Sequence, residues 1–289
     1  MATAEVLPEM SERLARNTGR SPLRGFAGML DAELRRWFPV RALALASLGC
    51  AIAAVVFVIW SSGANADNPR LGSYVYVSFG FWIVVMVLAM VAATQGAMAD
   101  EIDEGTAAWV IAKPVGRPGF VLSKFVAAVP GVLLGAILVP GIVLRVLIIE
   151  AEGRGDTEFS ADDVFRLVQS DGEREVFMTL PPLDRHLGTL ILLASVLLFI
   201  VAVMILLGCA IRSRAALFLL GLAVPIGLLV YSILGPATSV ELTPAWAFDA
   251  LLTMIRNDPA PVLAPTLLTG AWTVGLLAAA TAWFSRMEL

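Results

Sequence analysis

The distribution of apolar and polar residues along the chain predicts an all-α polytopic membrane protein. Six stretches nearly free of charge are each long enough to cross a bilayer as a helix. They lie at about Val40–Ser61, Tyr74–Ala99, Val121–Leu144, Leu187–Ile211, Ala215–Leu234 and Pro265–Phe284. We therefore expect residues 40–289 to form one transmembrane domain with six transmembrane helices.

The segment before the first span, residues 21–39, has an amphipathic pattern instead. Ser21 and Pro22 favour a helix start, and Pro39 ends the pattern. Apolar residues fall on one helical face and charged residues on the other, which predicts an interfacial helix with its charged side chains directed to lipid head groups. The alternative is a helix packed on the protein surface. Residues 1–20 are expected to be a cytoplasmic N-terminal tail, and the predicted membrane-facing residues are Leu23, Phe26, Leu30, Leu34 and Trp37.

A second short apolar segment lies between the fifth and sixth predicted spans. Thr243 and Pro244 favour a helix start, and apolar residues continue to Ile255 before Pro259. A helix of this length is too short to cross a bilayer. We expect a short re-entrant or interfacial helix there.

Composition supports the assignment to the membrane. The chain is 58% hydrophobic and 15% charged, with a mean hydropathy of +0.84, whereas soluble domains have about 25% charged residues. The net charge of −4 gives no reason to expect nucleic acid as a partner. Cys50 and Cys209 lie inside apolar stretches and are interpreted as core residues. We expect no cleaved signal peptide, because the first apolar stretch is long enough to span.

Lysine and arginine positions predict the orientation. With the N-terminus inside, thirteen of these residues lie on the cytoplasmic side and seven on the other side. The positive-inside rule then places both termini in the cytoplasm. It also places the loop 98–120 in the cytoplasm and the segment 150–186 outside.

The chain lacks the usual signatures of an energy source or a catalytic centre. There is no Gly-Lys dipeptide, which excludes a phosphate-binding P-loop. A single histidine, His186, excludes a multi-histidine metal site. Only Arg145 and Glu150 come near the predicted spans, so an ion relay is not expected. The sequence therefore predicts a subunit that is not an enzyme, and a partner that supplies the work.

The segment 150–186 is acidic, with ten Asp or Glu residues and four Arg residues. Ser160 begins a pattern that resembles a capping box before an apolar run. This pattern predicts a small extracytoplasmic cap, and a solvated loop with no specific role is the alternative. The candidate residues for an extracytoplasmic protein partner are Asp162, Asp163 and Phe165.

The loop Gly96–Lys124 has the most patterned polar sequence of the chain. Glu101-x-x-Glu104-Gly105-Thr106 is followed by Lys113-Pro114-Val115-Gly116-Arg117 and then by Leu122-Ser123-Lys124-Phe125. This order resembles the loop after the second span of the type-2 ABC exporter permeases. The amphipathic entry helix, the six spans and the closing segment Phe284–Leu289 are similar to that family in the same order.

The resemblance implies a homodimer or heterodimer of such chains, each bound to a cytoplasmic ABC ATPase subunit. ATP and Mg would be held by that ATPase, and this chain would bind no cofactor. A coupling helix in the loop would sit in a groove of the ATPase, with an apolar ridge flanked by carboxylates near the helix N-terminus. The residues implied for ATPase coupling are Glu101, Ile102, Glu104, Gly105, Thr106, Trp109, Lys113, Pro114 and Arg117.

Three functions remain open from the sequence. The first is a permease subunit of an ABC exporter in the plasma membrane of a prokaryote. The second is a membrane subunit that transmits ATPase motion to an extracytoplasmic partner through the acidic segment, without moving a substrate. The third is a stand-alone channel or secondary transporter, which the low charge of the spans disfavours. Membrane lipids are expected to contact the chain in every case.

Overall fold

The computed structural model describes residues 25–38, 40–63, 71–103, 116–153, 183–255 and 260–286, and no strand occurs among them. The described residues form eleven α-helices and one π-helix. In chain order these are α1 (Phe26–Trp37), α2 (Val40–Gly63), α3 (Leu71–Thr94), α4 (Gly96–Asp103), α5 (Arg117–Gly131), the π-helix (Val132–Leu138), α6 (Val139–Gly153), α7 (Leu183–Ala210), α8 (Arg214–Leu234), α9 (Ala237–Val240), α10 (Ala245–Ile255) and α11 (Leu263–Arg286).

Within the described ranges, five helical stretches are long and apolar enough to cross a membrane. They are Trp82–Ile102, Arg117–Val146, His186–Ala210, Arg214–Leu234 and Leu263–Arg286. Helices α1 and α2 taken together are also long and apolar enough to cross a membrane, and the two helices are bent by 43° relative to each other. The described part of the chain is therefore all-helical, with the helices of a multi-pass membrane protein, and the count of six spans stays a prediction.

Helix α7 forms the centre of the bundle. It packs against α3, α4, α5, α8, α10 and α11. Its apolar residues from Leu192 to Ile205 are almost all buried, including Leu197 and Met204. By contrast, α8 and α11 bury only one face each, and large apolar side chains such as Leu219 and Val274 remain exposed on the other. The outer helices therefore present apolar surface of the kind that lipid or another membrane protein covers.

The third predicted span is one continuous helical stretch with a π-helical centre. Pro130 and Pro140 lie on either side of Val132–Leu138. Proline lacks a backbone N–H and its ring crowds the preceding turn, so a helix that contains it widens or bends. The π-helix between these prolines fits that cause, and the stretch continues from Arg117 to Gly153, farther than the predicted Val121–Leu144.

Close approach of α2 to this stretch depends on glycine. A Cβ atom at Gly135 would lie 2.7 Å from the backbone oxygen of Ala42. Helix α1 comes equally close, since a Cβ atom at Gly131 would lie 2.8 Å from Cε3 of Trp37 at the end of α1. Since backbone atoms cannot rotate away as a side chain can, Gly135 sets the spacing of the two helices.

Gly135→Ala is expected to lower stability by about 1–3 kcal/mol, because the added methyl group meets backbone. The midpoint of thermal unfolding in one detergent measures the change. Gly227→Ala on α8 is the matched control, since a Cβ there meets nothing within 4 Å. The control is expected to leave stability unchanged or raise it by up to about 1 kcal/mol. Equal midpoints for the two variants would contradict the close contact.

The short helix α10 begins beside the predicted start signal. The Thr243 hydroxyl accepts a hydrogen bond from the backbone N–H of Ala245 at 3.3 Å. Ala247, Ala250 and Leu251 are buried, and α10 packs against α7 and α8. The helix therefore belongs to the folded bundle, while its re-entrant placement in a membrane stays a prediction.

Candidate functional site

Four helices meet at the end of the bundle where α1 lies, which we call the α1 end. Helix α1 packs along α5, and Trp37 of α1 is 2% exposed. The last turns of α4 and α11 lie at the same end. Glu101 of α4 pairs with Lys124 of α5, and Phe284 of α11 stacks on Phe120 of α5. The loop between α4 and α5 is the segment that resembles the coupling element.

A buried ion cluster joins three of these helices. It consists of Lys124 on α5, Glu101 on α4, and Glu33 and Arg36 on α1. The Nζ atom of Lys124 lies 2.5 Å from Oε1 of Glu101 and 2.8 Å from Oε1 of Glu33. The side chain of Lys124 is 1% exposed, and those of Glu101 and Glu33 are 10% and 14% exposed. Buried charges in such numbers persist only when each is paired and hydrogen-bonded.

Arg36 completes the charge balance of the ion cluster. Its Nη1 atom donates to Oε1 of Glu101 at 3.0 Å. The same carboxylate oxygen therefore binds two cations, Lys124 and Arg36. Two positive and two negative charges sum to zero, so the ion cluster is neutral as a group. Arg36 is 39% exposed and forms its solvent-facing edge.

Aromatic rings connect the ion cluster to the last helix. The Nζ atom of Lys124 lies 4.9 Å from the ring centroid of Phe120, one turn earlier on α5. Phe120 stacks on Phe284 of α11, with ring centroids 5.1 Å apart and an interplanar angle of 19°. Both rings are almost fully buried. Lysine over an aromatic face is an attractive arrangement, which is stronger away from water.

Two further polar contacts join helices at the α1 end. The Nη1 atom of Arg117, at the start of α5, donates to the carbonyl oxygen of Ser285 in the last turn of α11. A basic side chain at a helix C-terminus satisfies carbonyls that lack an intrahelical partner. Nη2 of Arg214, at the start of α8, lies 3.0 Å from Oδ1 of Asp100 on α4. Helix α4 is thus joined by ion pairs to α1, α5 and α8.

The predicted coupling residues divide into two groups. Glu101, Ile102 and Arg117 are described, and the structure places them at the α1 end. Ile102 is half-buried and packs against the core. The other predicted coupling residues lie outside the described residues, and these are Glu104, Gly105, Thr106, Trp109, Lys113 and Pro114. The apolar ridge through Trp109 therefore stays a prediction.

The position of the first carboxylates differs from the expectation. The resemblance implies carboxylates near the N-terminus of a coupling helix, but Glu101 belongs to the last turn of α4. The second predicted span, Tyr74–Ala99, covers most of α3, a turn at Gln95 and the start of α4. Helix α4 then continues past Ala99 to Asp103. The carboxylate of Glu101 is stabilised there by Lys124 and Arg36 rather than by a helix dipole.

The charged face of α1 also differs in part. The sequence predicts that its charged side chains point away from the protein toward head groups. Arg35 is exposed, with 80% of its side chain accessible, and pairs with Asp31, while its position relative to head groups stays a prediction. Glu33 instead points inward to Lys124. Of the predicted membrane-facing residues, Trp37 is buried against Gly131. Phe26, Leu30 and Leu34 are half-buried, and Leu23 lies outside the described residues.

The sequence did not predict the ion cluster, because Lys124 is the last residue of the predicted polar loop Gly96–Lys124. Lys124 instead lies about 10 Å along α5 from Arg117, so the expectation that only Arg145 and Glu150 come near the spans is wrong. The available signal was a lysine among apolar residues, which needs a partner. The candidate residues for an extracytoplasmic partner, Asp162, Asp163 and Phe165, lie outside the described residues.

Within the described residues, no group of three or more His, Cys, Asp or Glu side chains could hold a metal ion. Comparison with known proteins adds no assignment. The chain matches no protein-family model and no curated protein.

Proposed function

We propose that this chain is the membrane-spanning permease subunit of an ABC exporter, driven by a separate cytoplasmic ATPase subunit. The chain itself would not be catalytic, and ATP and Mg would belong to the ATPase. Two permease chains, identical or different, would form the complex in the plasma membrane of a prokaryote with both termini cytoplasmic. The motif order from Glu101 to Lys124 supports this proposal through its resemblance to the permease loop.

The observation that best supports the proposal is the attachment of the loop at both of its ends. Glu101 precedes the segment between α4 and α5 and Lys124 follows it, and the two form one buried ion pair of 2.5 Å. The same pair binds Glu33 of α1, and Phe120 stacks on Phe284 of α11. A force on the loop would therefore reach α1, α5 and α11 together, as expected of an element that receives motion from a partner.

The direct test asks whether an ATPase binds this chain through the loop. The tagged chain is extracted from its native membrane in mild detergent, and the ATP hydrolysis that remains with it is measured. We expect vanadate-sensitive hydrolysis with the wild type. Trp109→Ala and Glu104→Arg are expected to lower it about thirtyfold, the effect of losing an interface contact worth about 2 kcal/mol.

Trp272→Ala is the matched control for the loop variants. Trp272 is 46% exposed on α11, and its indole donates to the carbonyl oxygen of Leu242 at 3.4 Å. The control is expected to retain the hydrolysis. Equal hydrolysis in all variants, or none with intact wild-type chain, would reject the proposal.

The acidic segment 150–186 supports a second candidate function. With ten acidic residues against four arginines, this segment could bind an extracytoplasmic protein that responds to ATPase motion. Deletion of residues 153–181 separates the two functions. A transmitting subunit would lose its partner while ATP hydrolysis persists, whereas an exporter would keep its transport.

A stand-alone secondary transporter has less support than either ATPase-driven function. Among the described residues, the buried charges of Lys124, Glu101 and Glu33 lie at the α1 end and pair with one another and with Arg36. A relay needs groups that change partners along a path through the membrane. Transport by the purified chain in liposomes without an ATPase would favour this function and reject the proposal.

A further inference from the structure

The last two turns of α11 border an open crevice on the outside of the bundle. Its volume is about 510 Å³, and the described residues that line it are Ala279, Ala282, Trp283 and Arg286. All four lie on the face of α11 that is not packed on α7, since the buried face is formed by Leu277, Ala280 and Phe284. We propose that this crevice binds an anionic phospholipid, with the phosphate at Arg286 and an acyl chain along α11.

The apolar part of the crevice suits an acyl chain. Ala279 and Ala282 are one turn apart and leave a shallow slot, which the ring of Trp283 borders. The slot continues along the helix at Gly275, where a Cβ would meet nothing within 4 Å, and at exposed Ala271. From Arg286 to Ala271 the helix rises about 22 Å, which is comparable to an extended acyl chain.

The polar end of the crevice suits a phosphate. Arg286 is exposed, and no carboxylate of the described residues forms a salt bridge with it. A guanidinium binds phosphate through two parallel hydrogen bonds. The positive charge of Arg286 favours a lipid with net negative charge over a zwitterionic lipid.

The position of Trp283 supports a lipid rather than a soluble anion. Trp283 is 54% exposed and lies three residues before the end of an apolar helix of 24 residues. Tryptophan at the end of a membrane-spanning helix lies at the level of the head groups. The guanidinium of Arg286 therefore lies at the depth where lipid phosphates are found. This inference requires only that the chain is a membrane protein, and it does not depend on an ATPase partner.

The test compares two lipids with identical acyl chains, phosphatidylglycerol and phosphatidylcholine. The purified full chain in detergent is titrated with each, and lipid binding is measured by native mass spectrometry and by the shift in thermal unfolding. We expect the wild type to bind phosphatidylglycerol more tightly. Arg286→Gln should weaken this binding about tenfold or more, because a hydrogen bond between charged groups contributes about 1.5–3 kcal/mol.

Two further variants keep the test decisive. Arg212→Gln removes another exposed arginine, between α7 and α8, and should retain the preference for phosphatidylglycerol. Ala282→Leu fills the slot and should weaken binding of both lipids. Equal binding of the two lipids by the wild type, or unchanged binding by Arg286→Gln, would overturn the proposal. A change in oligomeric state with Ala282→Leu but not in lipid binding would assign the crevice to a second copy of the chain, and would also overturn it.

Discussion

Replacing Lys124 with methionine is expected to lower the stability of the protein by about 3–5 kcal/mol, because two buried carboxylates would lose their common cation. Glu33 and Glu101 both lie within 2.8 Å of the Lys124 ammonium. Arg36 would still pair with Glu101, but Glu33 would face the bundle without a described partner. The midpoint of thermal unfolding of the purified chain measures the loss.

Two controls isolate the electrostatic cause of that loss. Arg35→Gln removes an exposed ion pair with Asp31, whose side chains are 80% and 63% exposed, and should change stability by no more than about 1 kcal/mol. The triple variant Lys124→Met, Glu33→Gln and Glu101→Gln removes the carboxylate charges as well, and should recover part of the loss. If the triple variant is as unstable as Lys124→Met alone, packing of the lysine stem rather than charge is responsible.

Replacing Phe284 with alanine is the second change with a large expected effect. The ring of Phe284 is fully buried and stacks on Phe120. Its loss leaves a cavity between α5 and α11. It also removes the ring that stacks on Phe120, which also contacts the ammonium of Lys124. The expected cost is about 3–5 kcal/mol, as for other buried Phe→Ala changes.

The control for Phe284→Ala lies on the same helix. Leu267 is 63% exposed, so Leu267→Ala should change stability by less than about 1 kcal/mol. Both variants are compared with the wild type by thermal unfolding in the same detergent. Similar midpoints for Phe284→Ala and Leu267→Ala would show that the α5–α11 contact contributes little.

Most of the helical architecture could be predicted from the sequence, because an uncharged apolar stretch of about 20 residues has few alternatives to a membrane-spanning helix. The fourth predicted span, Leu187–Ile211, corresponds to α7, Leu183–Ala210. The sixth predicted span, Pro265–Phe284, corresponds to α11, Leu263–Arg286. The predicted helix start at Thr243 and Pro244 lies directly before α10, which begins at Ala245.

The candidate site could not be predicted, because its contacts join residues far apart in the chain. Glu33 is 91 residues from Lys124, and Arg36 is 65 residues from Glu101. Helical periodicity placed Glu33 on the polar face of α1, but it does not indicate whether that side chain contacts water or a buried lysine. The close approach of Gly135 to Ala42 is likewise a property of packing rather than of local sequence.

The position of Lys124 shows how a boundary error of a few residues changes the functional interpretation. Lys124 is the last residue of the predicted loop Gly96–Lys124 and lies only three residues after the predicted start of the third span at Val121. Because α5 begins at Arg117, Lys124 lies inside the helix bundle and needs buried partners. The ion cluster therefore follows from the start of α5, together with the inward orientation of Glu33 and Glu101.

The most direct test of the central claim is a distance measurement in the complex as purified from its native membrane. Spin labels are placed at two exposed positions, Arg35 on α1 and Leu219 on α8, after Cys50 and Cys209 are replaced. We expect the interspin distance to change when ATP and vanadate trap the nucleotide, and the change to disappear with Lys124→Met. An unchanged distance in the wild type, with nucleotide trapped, would contradict the claim that ATPase motion passes through the ion cluster to the membrane helices.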